Sequence, residues 1–186
     1  MNSDVGQGIS AGAAGASGAV PGLAAPAPLR SGRFQGRADF EQLVRDVFRR
    51  AADEGWPEII ISDASFEDWP LRERVVVDAL QSWSKTGRHF TMLAKRYDGV
   101  LRNQPRFVSW RKTWSHIIEC RQCTSADPLD FPSALWSRGW VMQRLDLARS
   151  TGVSGPEPER RVALRELLNE RLRSSSPGFP ATTLGL

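Results

Sequence analysis

Cysteine is nearly absent from this chain: Cys120 and Cys123 are the only two in 186 residues. So few exclude a disulfide scaffold and fit a reducing, cytoplasmic setting. Histidine is as scarce, with His89 and His116 alone. The sequence has no G-x-S-x-G, no glycine loop ending in Gly-Lys-Ser/Thr and no H-E-x-x-H, so it offers no nucleophile elbow, phosphate loop or zinc-protease helix. "GQG" at Gly6 and Gly8 follows no strand and is not a dinucleotide fingerprint. No run approaches the ~20 apolar residues of a membrane-spanning helix. "AGAAGASGAV" is too small and glycine-rich for the apolar core of a secretory signal. Large apolar side chains are sparse throughout residues 1–33, which therefore cannot bury enough surface to offset ordering entropy, and a disordered tail is expected there.

The remaining ~150 residues suit one domain with a single core. The net charge is +4 with a pI near 9.7, but the imbalance is local. Residues 34–87 carry 7 basic and 11 acidic side chains, and residues 88–121 carry 8 basic and 2 acidic. A basic middle suits an anionic partner. Nearly all the basic residues of the chain are arginine, which is equally what a GC-rich genome produces.

Periodicity supplies the elements. Phe40, Leu43, Val44, Val47, Phe48 and Ala51 recur at helical spacing. Asp39 is placed to cap this helix, with Gln42 reaching back, and Gly55 to end it. The continuous Ile59, Ile60 and Ile61 predict a strand buried on both faces, with Asp63 at its carboxyl end. "DWPLRERVVVDALQSWSKTG" predicts a helix capped by Asp68, with Pro70 in its first turn, Gly87 at its stop, and Val76, Leu80 and Trp83 inward. "HFTMLAK" predicts a strand, and "YDGV" a turn. A helix from about Pro105 follows, on which Phe107, Trp110, Arg111 and Trp114 share spacing, and then the strand "HIIEC". "SALWSRGWVMQRL" predicts a hairpin over 134–136 and 140–145 turning at Gly139. "STGVSGPEP" predicts a flexible break before a last helix with Val162, Leu164, Leu167, Leu168 and Leu172 on its apolar side. Beyond it, Phe179 and Leu184 to Leu186 form an apolar tip able to dock back.

The C-x-x-C of Cys120 and Cys123 lies between His116 and Asp127. A structural zinc site needs four ligands. On an extended "HIIEC", His116 stands about 13 Å from Cys120, too far to share a metal. A redox pair needs a helix starting at the first cysteine, and "RQCTSADPLDFP" does not make one. Both cysteines therefore read as structural. "RFVSWRKTW" interleaves cations with aromatics, as single-strand binders do, but the same spacing makes a helix with an aromatic core stripe and a solvated basic face. Ligands of α/β folds sit beyond the carboxyl ends of the strands. Those ends hold Asp63 to Ser65, then Lys95, Arg96 and Asp98, and then Cys120 to Cys123.

The element order over residues 40–145, together with "FPSALWSRGWVMQRL", resembles one half of the phospholipase D-like superfamily. With its "PGFPATTLGL" ending, the chain looks like an uncharacterised proteobacterial domain of phospholipase D-like type. In that family the late strand–turn–strand carries H-x-K-x-x-x-x-D. Aligning the turn places Ser137 at the aspartate, Pro132 at the lysine and Asp130 at the histidine. The resemblance thus implies the fold without the nucleophilic histidine or the phosphate-gripping lysine, and fold and site are separable.

The sequence accordingly predicts an α/β domain with a mainly parallel mixed sheet, helices on both faces, a hairpin and a C-terminal helix. Its divisions are a tail over 1–33, an α/β domain over 34–150, and a helix and tail over 151–186 packing on that domain. The expected function is a non-catalytic binding or regulatory module. The alternative is a phosphodiesterase or nuclease with a site rearranged around His89, His116 or Asp63. Candidate binding residues are Asp63, Lys95, Arg96, Asp98 and His116, with the basic segment 88–121. No catalytic residue, metal ligand or cofactor is assigned. The admitted partners are an anionic ligand or nucleic acid, a protein, or a second copy of the chain.

Overall fold

A computed structural model describes residues 28–87, 89–124, 127 and 130–180. The first described strand, β1 (Gly32–Phe34), leads through Gly36 into α1 (Arg37–Glu54). All six apolar residues at helical spacing on α1 are buried, and Gly55, at φ 63°, closes the helix by donating to Ala51 O. Asp39 does not cap it. Gly36 occupies that place, and Asp39 sits inside the first turn, accepting from Arg30 at 2.7 Å. Gln42 donates to Asp46 instead of reaching back.

Next come β2 (Glu58–Asp63) and α2 (Arg74–Trp83). α2 starts later than its sequence pattern predicts because the preceding turn is tied down elsewhere. The Trp69 indole donates to Asp63, the Phe66 carbonyl accepts from Gln104, and Asp68 pairs with Arg37 and Arg144 rather than capping. Then follow β3 (His89–Ala94), α3 (Asp98–Asn103) where a turn was expected, α4 (Pro105–Thr113) and β4 (Ile118–Gln122). The chain continues through β5 (Ser133–Ser137), β6 (Val141–Asp146), β7 (Thr151–Gly155), α5 (Pro158–Arg173) and β8 (Ser176–Pro177).

The strands form one mixed sheet ordered β1-β7-β6-β5-β2-β3-β4-β8. Parallel pairing is confined to β2–β3 and β3–β4, and the other five pairings are antiparallel. The parallel portion is thus smaller than expected, because hairpins rather than crossovers connect β5, β6 and β7. Side chains alternate across the sheet. Ile59 and Ile61 pack on one face with α1, α2 and α4, while Ile60 joins Leu93, Trp136, Leu164 and Leu168 on the face covered by α5. Burying each such aliphatic side chain contributes roughly 1.5–3 kcal/mol.

Two segments depart from expectation. Gly32 and Arg33, assigned to the tail, pair with Ser154 and Val153. The supposed flexible break over 151–155 is β7, hydrogen-bonded on both sides. Its small residues serve packing: a Cβ on Gly152 would stand 2.2 Å from Gln143 O and 2.5 Å from the Phe34 ring. On α5, Val162 is 58% exposed, and the buried contacts come from Leu164 and Leu168. Phe179 docks as expected, buried against Tyr97. The tail over 1–27 and Leu184 to Leu186 lie outside the described residues. No helix among those described is long and apolar enough to cross a membrane.

Candidate functional site at the strand ends

The carboxyl ends of β2 and β3 bring Asp63, Lys95, Arg96 and Asp98 to one edge of the sheet. Because β5 runs antiparallel to β2, with Ser62 opposite Ala134, the start of β5 reaches the same edge and brings Asp130 and Pro132 with it.

Asp63 is fully engaged. Its Oδ1 accepts from the backbone N–H groups of Ser65 at 3.0 Å and Phe66 at 2.9 Å. Its Oδ2 accepts from Trp69 Nε1 at 3.1 Å and Arg144 Nη2 at 2.7 Å. Arg144 is as fully held: Nε donates to Ser133 Oγ at 2.7 Å, Nη1 to Asp68 at 3.3 Å, and the guanidinium lies 4.2 Å from the centre of the Phe40 ring. Burial pushes the Asp63 carboxyl up, but Arg144, the Ser133 hydroxyl and the two backbone N–H groups hold it below its ordinary value. This constellation locks β2 to β6 and leaves neither oxygen open to a ligand.

Arg144 was missed by the sequence reading. The available signal was alternation: in "VMQRLD", Met142 and Arg144 share the inward face, and an inward arginine needs a buried anion.

The outer rim of this edge carries both signs. Lys95 Nζ donates to Thr124 O at 3.2 Å, and Arg96 Nη2 lies 3.6 Å from Glu67 Oε1. Asp98 opens α3 and is exposed, as are Glu67, Asp127 and Asp130. His116 does not join them. It precedes β4, which runs parallel to β3, so it sits at the amino edge, roughly 20 Å from the carboxyl ends. There it is exposed and packs against Trp114. His89 occupies the same amino edge, its Nε2 3.5 Å from Glu119 Oε2.

The two cysteines diverge. Cys120, in β4, packs with the α1–α2–α4 side and Cys123, just past β4, with the α5 side, so the thiols lie on opposite faces of the sheet. Cys120 Sγ accepts from Arg111 Nε at 3.1 Å. Burial pushes this thiol up, and the adjacent Arg111 only partly offsets it. On α4, Phe107 and Trp110 are core while Arg106 and Lys112 face solvent, the aromatic stripe and basic face expected. Arg111 is the exception. It turns inward and donates also to Phe179 O at 3.3 Å.

At the positions aligned with the phospholipase D-like motif, Ser137 ends β5 at the turn into β6, its hydroxyl donating to Trp140 O at 2.8 Å. Pro132 is buried, its carbonyl accepting from Ser62, and Asp130 is exposed.

No family model matches the chain, and no curated protein matches it. Among solved structures it is similar to TrmBL2, an archaeal chromatin protein described as binding DNA in a novel mode. The TM-score is 0.61 at 16% identity, over 84% of this chain and 57% of that one. The likeness is one of fold, and this chain spans little more than half the length of TrmBL2. Fold and site together define an α/β domain whose strand-end position is filled by a structural ion pair.

Proposed function

We propose that this chain is a cytoplasmic, non-catalytic binding module of phospholipase D-like fold that engages an anionic partner. One observation carries the reading. At the strand-end edge, where α/β folds place their chemistry, Asp63 is consumed by the Arg144 pair, and Asp130 and Pro132 stand where the resemblance would put histidine and lysine. The separation of His89 and His116 from Asp63 by the length of β3 and β4 weighs against a rearranged phosphodiesterase centre, since acid and base must share a substrate within hydrogen-bond reach. The net charge of +4 favours an anionic partner. The DNA binding described for TrmBL2 makes nucleic acid the first partner to test.

The test pairs two measurements on the full chain. Fluorescence anisotropy with a labelled oligonucleotide is expected to show saturable, salt-dependent binding, and a chromogenic phosphodiester is expected to remain intact. Turnover abolished by His116→Ala would overturn the reading, as would failure to bind any nucleic acid or phosphorylated ligand at low salt.

A further inference from the structure

A groove separate from the strand-end rim lies where β1 meets β7 and the β6–β7 turn. It is open to solvent, has a volume of about 570 Å³ and is lined by Arg30, Arg33 and Arg149 together with Leu145, Thr151 and Gln35, with no carboxylate in the lining. Pockets of this volume fit a nucleotide-sized ligand. Arg33 is exposed and makes no ion pair among the described residues, and Arg149, 81% exposed, only approaches Asp146 at 3.9 Å. Arg30 is held by Asp39 at 2.7 Å, which fixes its position at the groove.

Two backbone features shape the site. Gly152 lets β1 approach so closely that any side chain there would collide with Phe34 and Gln143. In the pairing of β6 with β7, Arg144 stands opposite Gly152 and Asp146 opposite Thr151, so Leu145 is an inserted residue in a β-bulge. With Arg144 turned inward to Asp63, Leu145 is 66% exposed and becomes an apolar wall beside the arginines.

Guanidinium groups grip phosphate through paired N–H donors, and an apolar wall beside them suits the face of a sugar or base. We infer that the Arg30–Arg33–Arg149 groove is a phosphate-binding site for a nucleotidyl group, carried either on a single-stranded nucleic acid or on a free nucleotide. The inference rests on the binding-module reading and adds to it a site that the sequence did not mark.

The experiment titrates the full chain with a labelled single-stranded oligonucleotide and, separately, with adenosine monophosphate, over a range of salt. The groove variant is Arg33→Glu/Arg149→Glu. The control, Arg74→Glu/Arg173→Glu, makes the same charge change at exposed residues on α2 and α5. The groove variant is expected to weaken binding by roughly tenfold or more and to lower the salt slope by about two, one per phosphate contact. The control is expected to stay within about twofold of the parent, since it only alters long-range charge. Groove-dependent binding of the oligonucleotide alone assigns the phosphate to a strand, and of the monophosphate alone to a free nucleotide. Equal losses in both variants, or no binding of either probe, would overturn the groove. Binding that the groove variant leaves intact would overturn it too while sparing the module reading. Hydrolysis of the probe would overturn that reading while leaving the groove.

Discussion

Breaking the Asp63–Arg144 pair exposes what it contributes. The Arg144 and Asp63 side chains are 2% and 7% exposed, so solvent cannot compensate either charge alone. Arg144→Met leaves the carboxylate with the Trp69, Ser65 and Phe66 donors but no cation, and Asp63→Asn leaves the guanidinium with Ser133 and the partly exposed Asp68. Removing one partner of a buried pair costs about 3–5 kcal/mol. For a domain of this size that lowers the melting temperature by roughly 6–20 °C. The double variant removes both charges, so its loss should fall short of the sum of the single losses by about 1–3 kcal/mol. Urea denaturation of the four proteins at pH 7 gives the cycle.

Acid adds a second readout. The folded Asp63 carboxyl titrates below its ordinary, unfolded value. The stability it contributes is therefore present above that value and lost as pH falls through the folded one. Asp63→Asn should flatten this acid limb. Single variants within ~1 kcal/mol of the parent, or a cycle that adds without coupling, would refute the claim that this edge is held together by the pair.

Gly152→Ala should destabilise the chain by about 1–3 kcal/mol and speed amide exchange in β1, because the new Cβ would meet Gln143 O and Phe34; hydrogen exchange checks this. Leu168→Ala, at a fully buried position on the sheet-facing side of α5, should cost about 2–5 kcal/mol by denaturant melt. Cys120 should resist alkylation at neutral pH, because burial raises its thiol and Phe179 helps cover the Arg111 that contacts it. Phe179→Ala should speed its labelling, measured by mass spectrometry of iodoacetamide-treated native protein.

The parts legible in the sequence are those whose signal is local. α1 and the buried isoleucines of β2 announce themselves by spacing, and the β5–β6 hairpin by its turn. β1, β7 and β8 were not legible, because strands of three, five and two residues rich in glycine, serine and proline carry no apolar period. Their pairing is decided by what the neighbouring strand offers. The same holds for the site. Asp63 was found by its position at a strand end, but its partner lies 81 residues away and becomes a neighbour only through the β2–β5–β6 order. His116 was grouped with Asp63 on sequence grounds, and strand direction alone separates them. The arginines of the groove come from two distant segments, the stretch leading into and through β1 and the β6–β7 turn, with no shared pattern.

The placement of β1 has a kinetic consequence. Ser154 Oγ donates to Arg30 O across 124 residues, and β1 has no hydrogen-bonded strand other than β7 among those described. Chain-closure entropy must be met before so distant a contact rewards it. β2, β3 and β4 are linked by helical crossovers far shorter than that separation and can assemble earlier, as can the hairpin that follows. The strand synthesised before all of these must wait for the β6–β7 turn, so the basic groove forms only after β6 and β7 are in place. A folding intermediate with the central strands in place would lack it, and binding through the groove would select the completed chain.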